Sequence, residues 1–451
     1  MKTHRFDVRL FGVLLIMTAL PSFYKMFRIH LLGNVPSDWG VNIASQIAWL
    51  DVLYEIIHEA LLLPLFFFCG TILGENGWTP QILINFSERL KSIFITSSII
   101  YTSLSAVLIV LIRKLLVFMQ VEEDVLEQSA VYMRWETVGL LLSTMLRIGT
   151  TAMMFLEENG STINKPLGAV LLIKVVFAIL CDLFLLREGR FSLRLGVLAI
   201  AISNIFANAA ALCVCLTSFH YRGLRIFSRN LPSFTWQKQW FKAGSLSGCE
   251  SFIRNLAFMV VVLRLMNEVS EQGTFWITNS FIWSVLLLPV FALGEVIKRD
   301  IGRDNTLARS TFNMYLRVTL YIFLAWFITL PLWKTFIKVA LNAQDFEKIF
   351  TTVLISMPFY IIFALNNIVD AIFYGLSRTD LMLYQSILTN GTVYPLALLF
   401  YWMNWWVPDL YSIAILFGTG IAVDSLITFV IYWILKRKNA LVAKYVDVEK
   451  V

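Results

Sequence analysis

Charged residues are scarce in this chain. Only 15% of its 451 residues are Asp, Glu, Lys or Arg, and 58% are hydrophobic. Soluble domains carry about a quarter charged residues, so a string of soluble domains is excluded. No Walker A sequence or Gly-rich nucleotide loop is present, which argues against ATP-driven work within the chain. Cysteine is limited to Cys69, Cys181, Cys213, Cys215 and Cys249, all in apolar segments. Their spacing fits neither zinc nor a disulfide framework, so they read as small hydrophobes. His/Cys metal spacing is missing too, and so are the ~10-residue alternating segments of a membrane barrel. The basic, then apolar, N-terminus has no small-x-small cleavage site after it, and it reads as a first membrane span.

Long apolar runs recur almost to the C-terminus. About twelve meet the ~20-residue length of a spanning helix. Their centres lie near Leu15, Leu53, Ile100, Leu141, Val176, Ile202, Met259, Val285, Phe323, Ile361, Leu396 and Ile421. The expected class is an all-α polytopic membrane protein. The net charge of +7 is spread over short loops, so positive cytoplasmic loops explain it better than a nucleic-acid partner. Inner loops with Arg89, Lys91, Lys238, Lys242, Lys298 and Arg299, set against the outer acidic run Glu122–Asp124, favour both termini inside. Arg187, Arg190, Arg194, Lys334 and Lys338 count against that bias.

The halves repeat. LLLPLF at Leu61–Phe66 returns as LLLPVF at Leu286–Phe291, each in the second span of its half. The expected organisation is a six-helix bundle over 1–222, a basic connector over 223–242, a second six-helix bundle over 243–438 and a tail over 439–451. Parallel repeats of this kind hold substrate near the membrane midplane between the halves.

An ionisable group inside a span costs at least ~2.5 kcal/mol and needs a partner or a task. Span two places Asp51, Glu55, His58 and Glu59 on one helical face. That face is either wetted at the span's outer end or lines an aqueous cavity. Lys25, Arg28, Arg147, Lys174 and Asp182 supply charges in the same half, and pairing among them is the cheapest arrangement. In the second half Glu250 has two readings. It either pairs with Arg254 one turn on, or forms a cation site with Asp370 and Asn366 of span ten. Oxygens of this kind suit Na⁺, or a proton shared by a carboxylate pair. Glu295, beside Lys298 and Arg299, reads as an interfacial salt-bridge residue. Trp135, Trp276, Trp283, Tyr360, Tyr374 and Tyr394 read mostly as anchors and packing.

The stretches KAGSLSGCESFIRNLAFMVV, NSFIWSVLLLPVFALGE, NNIVDAIFYGLSRTD and ISNIFANAAALCVCL occur in an order that resembles the multidrug and toxic compound extrusion (MATE) transporters. These belong to a wider superfamily that includes lipid-linked oligosaccharide flippases. The resemblance covers most of Asp7 to Lys436. It implies a non-enzymatic antiporter that exports small organic molecules by rocker-switch alternating access, driven by Na⁺ or H⁺ and needing no other cofactor. The family's C-half cation site then falls on Glu250 and Asp370, with Asn366 as helper. The first half departs from the pattern: Lys25 holds the place of an expected aspartate, and Ala178 stands one turn before Asp182. Lys25, Glu55, His58, Glu59, Arg147, Lys174 and Asp182 therefore make a differently wired cavity, suited to an anionic or zwitterionic substrate. The alternative function is a flippase for a lipid-linked saccharide or another anionic lipid. The expected setting is a prokaryotic inner membrane, with the protein monomeric. A heptahelical receptor or a lipid enzyme fits neither the span count nor the lack of a nucleophile–base pair.

Overall fold

In the computed structural model, the described residues are 8–33, 39–73, 79–155, 165–186, 193–224, 226, 228, 230–304, 309–376 and 378–438. The predicted tail, 439–451, lies outside them. The helices, in chain order, are α1 (Val8–Leu32), α2 (Trp39–Ser45), α3 (Ile47–Leu73), α4 (Pro80–Phe118), α5 (Glu123–Phe155), α6 (Lys165–Leu185), α7 (Leu198–Tyr221) and α8 (Gln237–Ala257). They continue with α9 (Arg264–Glu268), α10 (Gln272–Phe281), α11 (Leu288–Asp304), α12 (Arg309–Thr335), α13 (Phe346–Gly375), α14 (Thr379–Trp402) and α15 (Leu410–Arg437). Three π-helical turns extend them: Phe258–Leu263 joins α8 to α9, Ile282–Leu286 follows α10, and Phe336–Ala340 follows α12. Every predicted span centre falls on one of these helical segments. Eight described helices are long and apolar enough to cross a membrane, and a bent pair, Gln272–Leu286 with Leu288–Ile301, raises this to nine. The chain is an integral, multi-pass, all-helical membrane protein. The long helices outside that set, α3, α5 and α14, carry the polar clusters described below.

The chain folds into two compact units, and they are not the two sequence halves. One contains residues 34–255. The other joins residues 1–33 to residues 256–451. In the first unit α5 is the hub: α7, α4 and α3 pack on it, and α6 packs on α7. In the second unit α13 takes that place, with α15, α12 and α11 around it and α14 on α15. Span four thus corresponds to span ten, and five and six to eleven and twelve, as a repeat requires.

The exchange at the boundaries is reciprocal. Span one, α1, packs on α11 of span eight. Gly33 has the Asn342 carbonyl where a Cβ would go, and His30 Nδ1 lies 3.2 Å from the Ala340 carbonyl oxygen. Span seven begins against span two: Trp240, 1% exposed, donates from Nε1 to the Leu61 carbonyl at 2.9 Å. The sequence boundaries at 222 and 243 therefore do not mark the units. Helix association inside a membrane is decided by close packing of small residues and by interhelical hydrogen bonds, and chain order does not set it. Two described residues of the predicted connector, Ser228 and Asn230, are tied to α4. Lys91 Nζ donates to the carbonyls of Ser228 and Asn230 and to Ser228 Oγ at 3.0 Å.

Candidate functional site: a polar centre in each unit

In the unit of residues 34–255, α3 and α8 approach closely at Gly248, where a Cβ would stand 2.8 Å from the Ala60 Cβ. That contact sets Arg254 beside two carboxylates. Its Nη1 donates to Glu250 Oε1 at 2.5 Å and its Nη2 to Glu59 Oε1 at 2.7 Å. The Glu250 side chain is 6% exposed and that of Glu59 15%, so both acids are drawn from water and share one guanidinium. One turn earlier on α3, Glu55 Oε2 accepts from Arg147 Nη1 of α5 at 3.1 Å, and this pair is about half exposed. The two glutamates of α3 are thus claimed by arginines of different helices. Only the Arg147 pairing lay within one sequence half. His58 lies half-buried between them on α3. On α6, Asp182 is fully buried and Lys174 half-buried two turns away.

Lys25 falls in the other unit. It follows α1 onto the second-half helices, and its Nζ stands 5.9 Å from the centroid of the Trp276 ring. Arg28 goes with it, 4.7 Å from the Tyr24 ring and bonded to that hydroxyl. The expected first-half charged set is therefore divided, with Lys25 in one unit and the remaining six residues in the other.

The same division separates Glu250 from Asp370. Within the unit of 256–451, Asn366 Nδ2 donates to Asp370 Oδ2 at 2.8 Å, the one-turn pairing read from the sequence. Asn366 is 1% exposed, and its Oδ1 has no hydrogen-bond partner. The next residue does different work. Asn367 Nδ2 donates at 3.0 Å to the Val290 carbonyl, in the first turn of α11 just after the bend of 52° between α10 and α11. Beside that bend Trp283 Nε1 donates to Tyr360 Oη at 3.0 Å, and the Trp283, Phe291, Tyr360 and Phe363 rings cluster. Tyr360 and Tyr394 are buried, as packing residues are. Glu295 pairs with Lys298 at 2.7 Å, as the sequence suggested.

Two polar nodes were missed in the sequence, one around the buried Glu136 and one around the half-buried Asp424. Glu136 of α5, 3% exposed, accepts from Asn204 of α7. Asp424 of α15 accepts from Gln385 Nε2 at 2.5 Å and from Thr389 Oγ1 at 3.1 Å, both on α14. Each is a lone acid in an apolar run. That is the signal that picked out Glu250, but here the partners lie on another helix. Among the described residues no group of three His, Cys, Asp or Glu side chains can hold a metal ion. A cation would be held by fewer acids together with neutral oxygens. A groove of about 500 Å³ lined by Phe281, Val285, Pro289, Trp326 and Trp333 is apolar and is bordered by none of these carboxylates.

Solved structures place this architecture. The chain is similar to the inward-facing conformation of a multidrug resistance MATE family transporter of the MOP superfamily. That match has a TM-score of 0.69 and 15% identity, and covers 96% of this chain and 98% of the other. The eukaryotic MATE transporter AtDTX14 matches with a TM-score of 0.68 and 13% identity, over 96% of each chain. A MOP superfamily transporter from Pyrococcus furiosus matches with a TM-score of 0.64 and 16% identity, over 96% of this chain and 95% of its own. It is described as having a binding pocket of reverse polarity that suggests a different function. No protein-family model and no curated protein matches the chain by sequence. The chain has the MATE transporter fold.

Proposed function

We propose that this protein is a cation-coupled exporter of small organic molecules, working by rocker-switch alternating access in a prokaryotic inner membrane with both termini inside. The observation that carries the reading is the Asn366–Asp370 pair, an acid and an amide one turn apart in a membrane-spanning helix of this fold, with Asn366 Oδ1 buried and unpartnered. A carboxylate oxygen and an amide oxygen are the ligands a hard cation such as Na⁺ takes. Coupling requires that cation and substrate each bind the two transport states differently. Glu250, in the other unit, is proposed as a separate coupling acid. Its bond to Arg254 is the alternative partner that a cation, or a change of state, would have to displace.

The test is efflux from proteoliposomes under an imposed Na⁺ or H⁺ gradient. Asp370→Asn and Glu250→Gln are expected to abolish gradient-driven efflux while the purified proteins remain folded. Full transport by either variant removes that residue from the coupling site.

A second reading is supported by Arg147, whose side chain is 53% exposed although it lies on α5 and is paired with Glu55. A cationic group at such a position suits an anionic headgroup. The reversed pocket polarity described for the Pyrococcus furiosus relative offers a precedent within this fold. Flipping of an anionic lipid in the same vesicles, lost in Arg147→Gln while dye efflux persists, would select this reading.

A further inference from the structure

We infer that Asp424, Gln385 and Thr389 form a second cation site, distinct from the Asp370 pair, between α14 and α15. The three side chains converge from two helices of one unit, and all offer oxygen. Asp424 presents a carboxylate, held by Gln385 Nε2 at 2.5 Å and Thr389 Oγ1 at 3.1 Å. Gln385 and Thr389 are each 3% exposed. Neutral hydroxyl and carboxamide groups around a single carboxylate match the needs of a hard monovalent cation such as Na⁺.

The second observation is on Gln385 itself. Its Oε1 is buried and has no hydrogen-bond partner. A buried acceptor without a donor is costly and calls for an explanation. The amide explains itself if it has two uses. With Nε2 toward Asp424, as here, it donates to the carboxylate. Turned over, it presents Oε1 beside the same carboxylate, an arrangement that is favourable only with a cation between the two. The turn is a rotation about the Cγ–Cδ bond, so it requires no backbone movement.

Packing ties this site to the Asp370 pair. Phe359, Asn366 and Phe373 follow one another at seven-residue intervals on α13, and so do Gly418, Ser425 and Tyr432 on α15. Phe359 abuts Gly418, and the Phe373 and Tyr432 rings are 6.4 Å apart. Asn366 therefore comes level with Ser425, the neighbour of Asp424 in the chain. The Ser425 hydroxyl is spent on the Ile421 carbonyl at 2.8 Å. A polar belt thus crosses α15, with a buried unpartnered oxygen at each end, Asn366 Oδ1 and Gln385 Oε1.

The test is equilibrium binding of radioactive Na⁺ to the purified full chain in potassium buffer, and it does not depend on the exporter reading. Asp424→Asn is expected to remove one equivalent of saturable Na⁺, and Asp370→Asn to leave that equivalent in place. Thr389→Val and Gln385→Met, which keep the shape of the core, are expected to weaken it about tenfold or more, as loss of a supporting oxygen does at metal sites. They carry the test if Asp424→Asn fails to fold. Wild-type protein that binds no Na⁺, or variants that lose thermal stability with Na⁺ stoichiometry and affinity unchanged, would overturn the proposal and leave a structural hydrogen-bond node. Full gradient-driven efflux by Asp370→Asn, with this equivalent intact, would count against the exporter reading alone.

Discussion

Gly248 of α8 and Ala60 of α3 meet so closely that a Cβ on the glycine would come within 2.8 Å of the alanine methyl carbon. Ala60 directly follows Glu59 in the chain, and Gly248 lies two residues before Glu250. The contact sets the distance over which Arg254 bridges the two helices. Stability and charge placement therefore depend on the same pair of small residues.

Gly248→Val is expected to lower the stability of the purified protein by about 1–3 kcal/mol, the range for overpacking a close contact. The neighbour at risk is Ala60, whose backbone also lies 3.5 Å from the added atom, so no flexible side chain can swing aside. Gly248→Ala is expected to cost less. A thermal melt of the valine variant that matches wild type would show that α3 and α8 do not need this approach.

Arg254 serves two acids, so removing it should hurt more than removing either. Arg254→Gln leaves Glu59 and Glu250 facing each other without their shared cation, and buried carboxylates left in that way are costly. In a double-mutant cycle, Glu59→Gln is expected to be destabilising alone but to recover part of the loss when added to Arg254→Gln. The coupling should be about 0.5–3 kcal/mol, as for contacting charged residues. Additive effects of the two changes, read from denaturation, would mean that the bridge carries no net energy.

Asn366 and Asn367 are neighbours with different work, and substitution should separate them. Asn367→Leu removes the side-chain donor to the Val290 carbonyl in the first turn of α11, at an expected cost of about 0.5–1.5 kcal/mol for one lost hydrogen bond. Its effect should appear in thermal stability and not in cation dependence. Asn366→Leu is expected to do the reverse and blunt the response of efflux to the imposed cation gradient. Equal effects of both on both measurements would contradict the assignment.

Much of this was legible in the chain itself. Span centres followed from hydrophobic runs, because the bilayer core tolerates only backbone satisfied within a helix and imposes its length. The Asn366–Asp370 and Glu250–Arg254 pairs were legible because residues four apart on a helix are neighbours whatever surrounds them. Asp424 and Glu136 were overlooked for the complementary reason. Their partners, Gln385 with Thr389 and Asn204, are on other helices, and nothing local in the sequence announces them.

The sequence by itself determined an all-helical membrane protein with two related halves and acids inside the spans. Composition and helical periodicity are enough for that, since hydrophobic length and one-turn spacing are properties of each segment alone. Only the tertiary structure decided which segments belong together. It sent α1 with Lys25 to the second-half helices, brought Glu250 and Arg254 of α8 to Glu59 of α3, and placed Asp370 with Asn366 in the other unit. Those choices rest on where a glycine lets two backbones approach and where an amide or guanidinium finds an acceptor on another helix. Both depend on three-dimensional neighbours that chain order does not record.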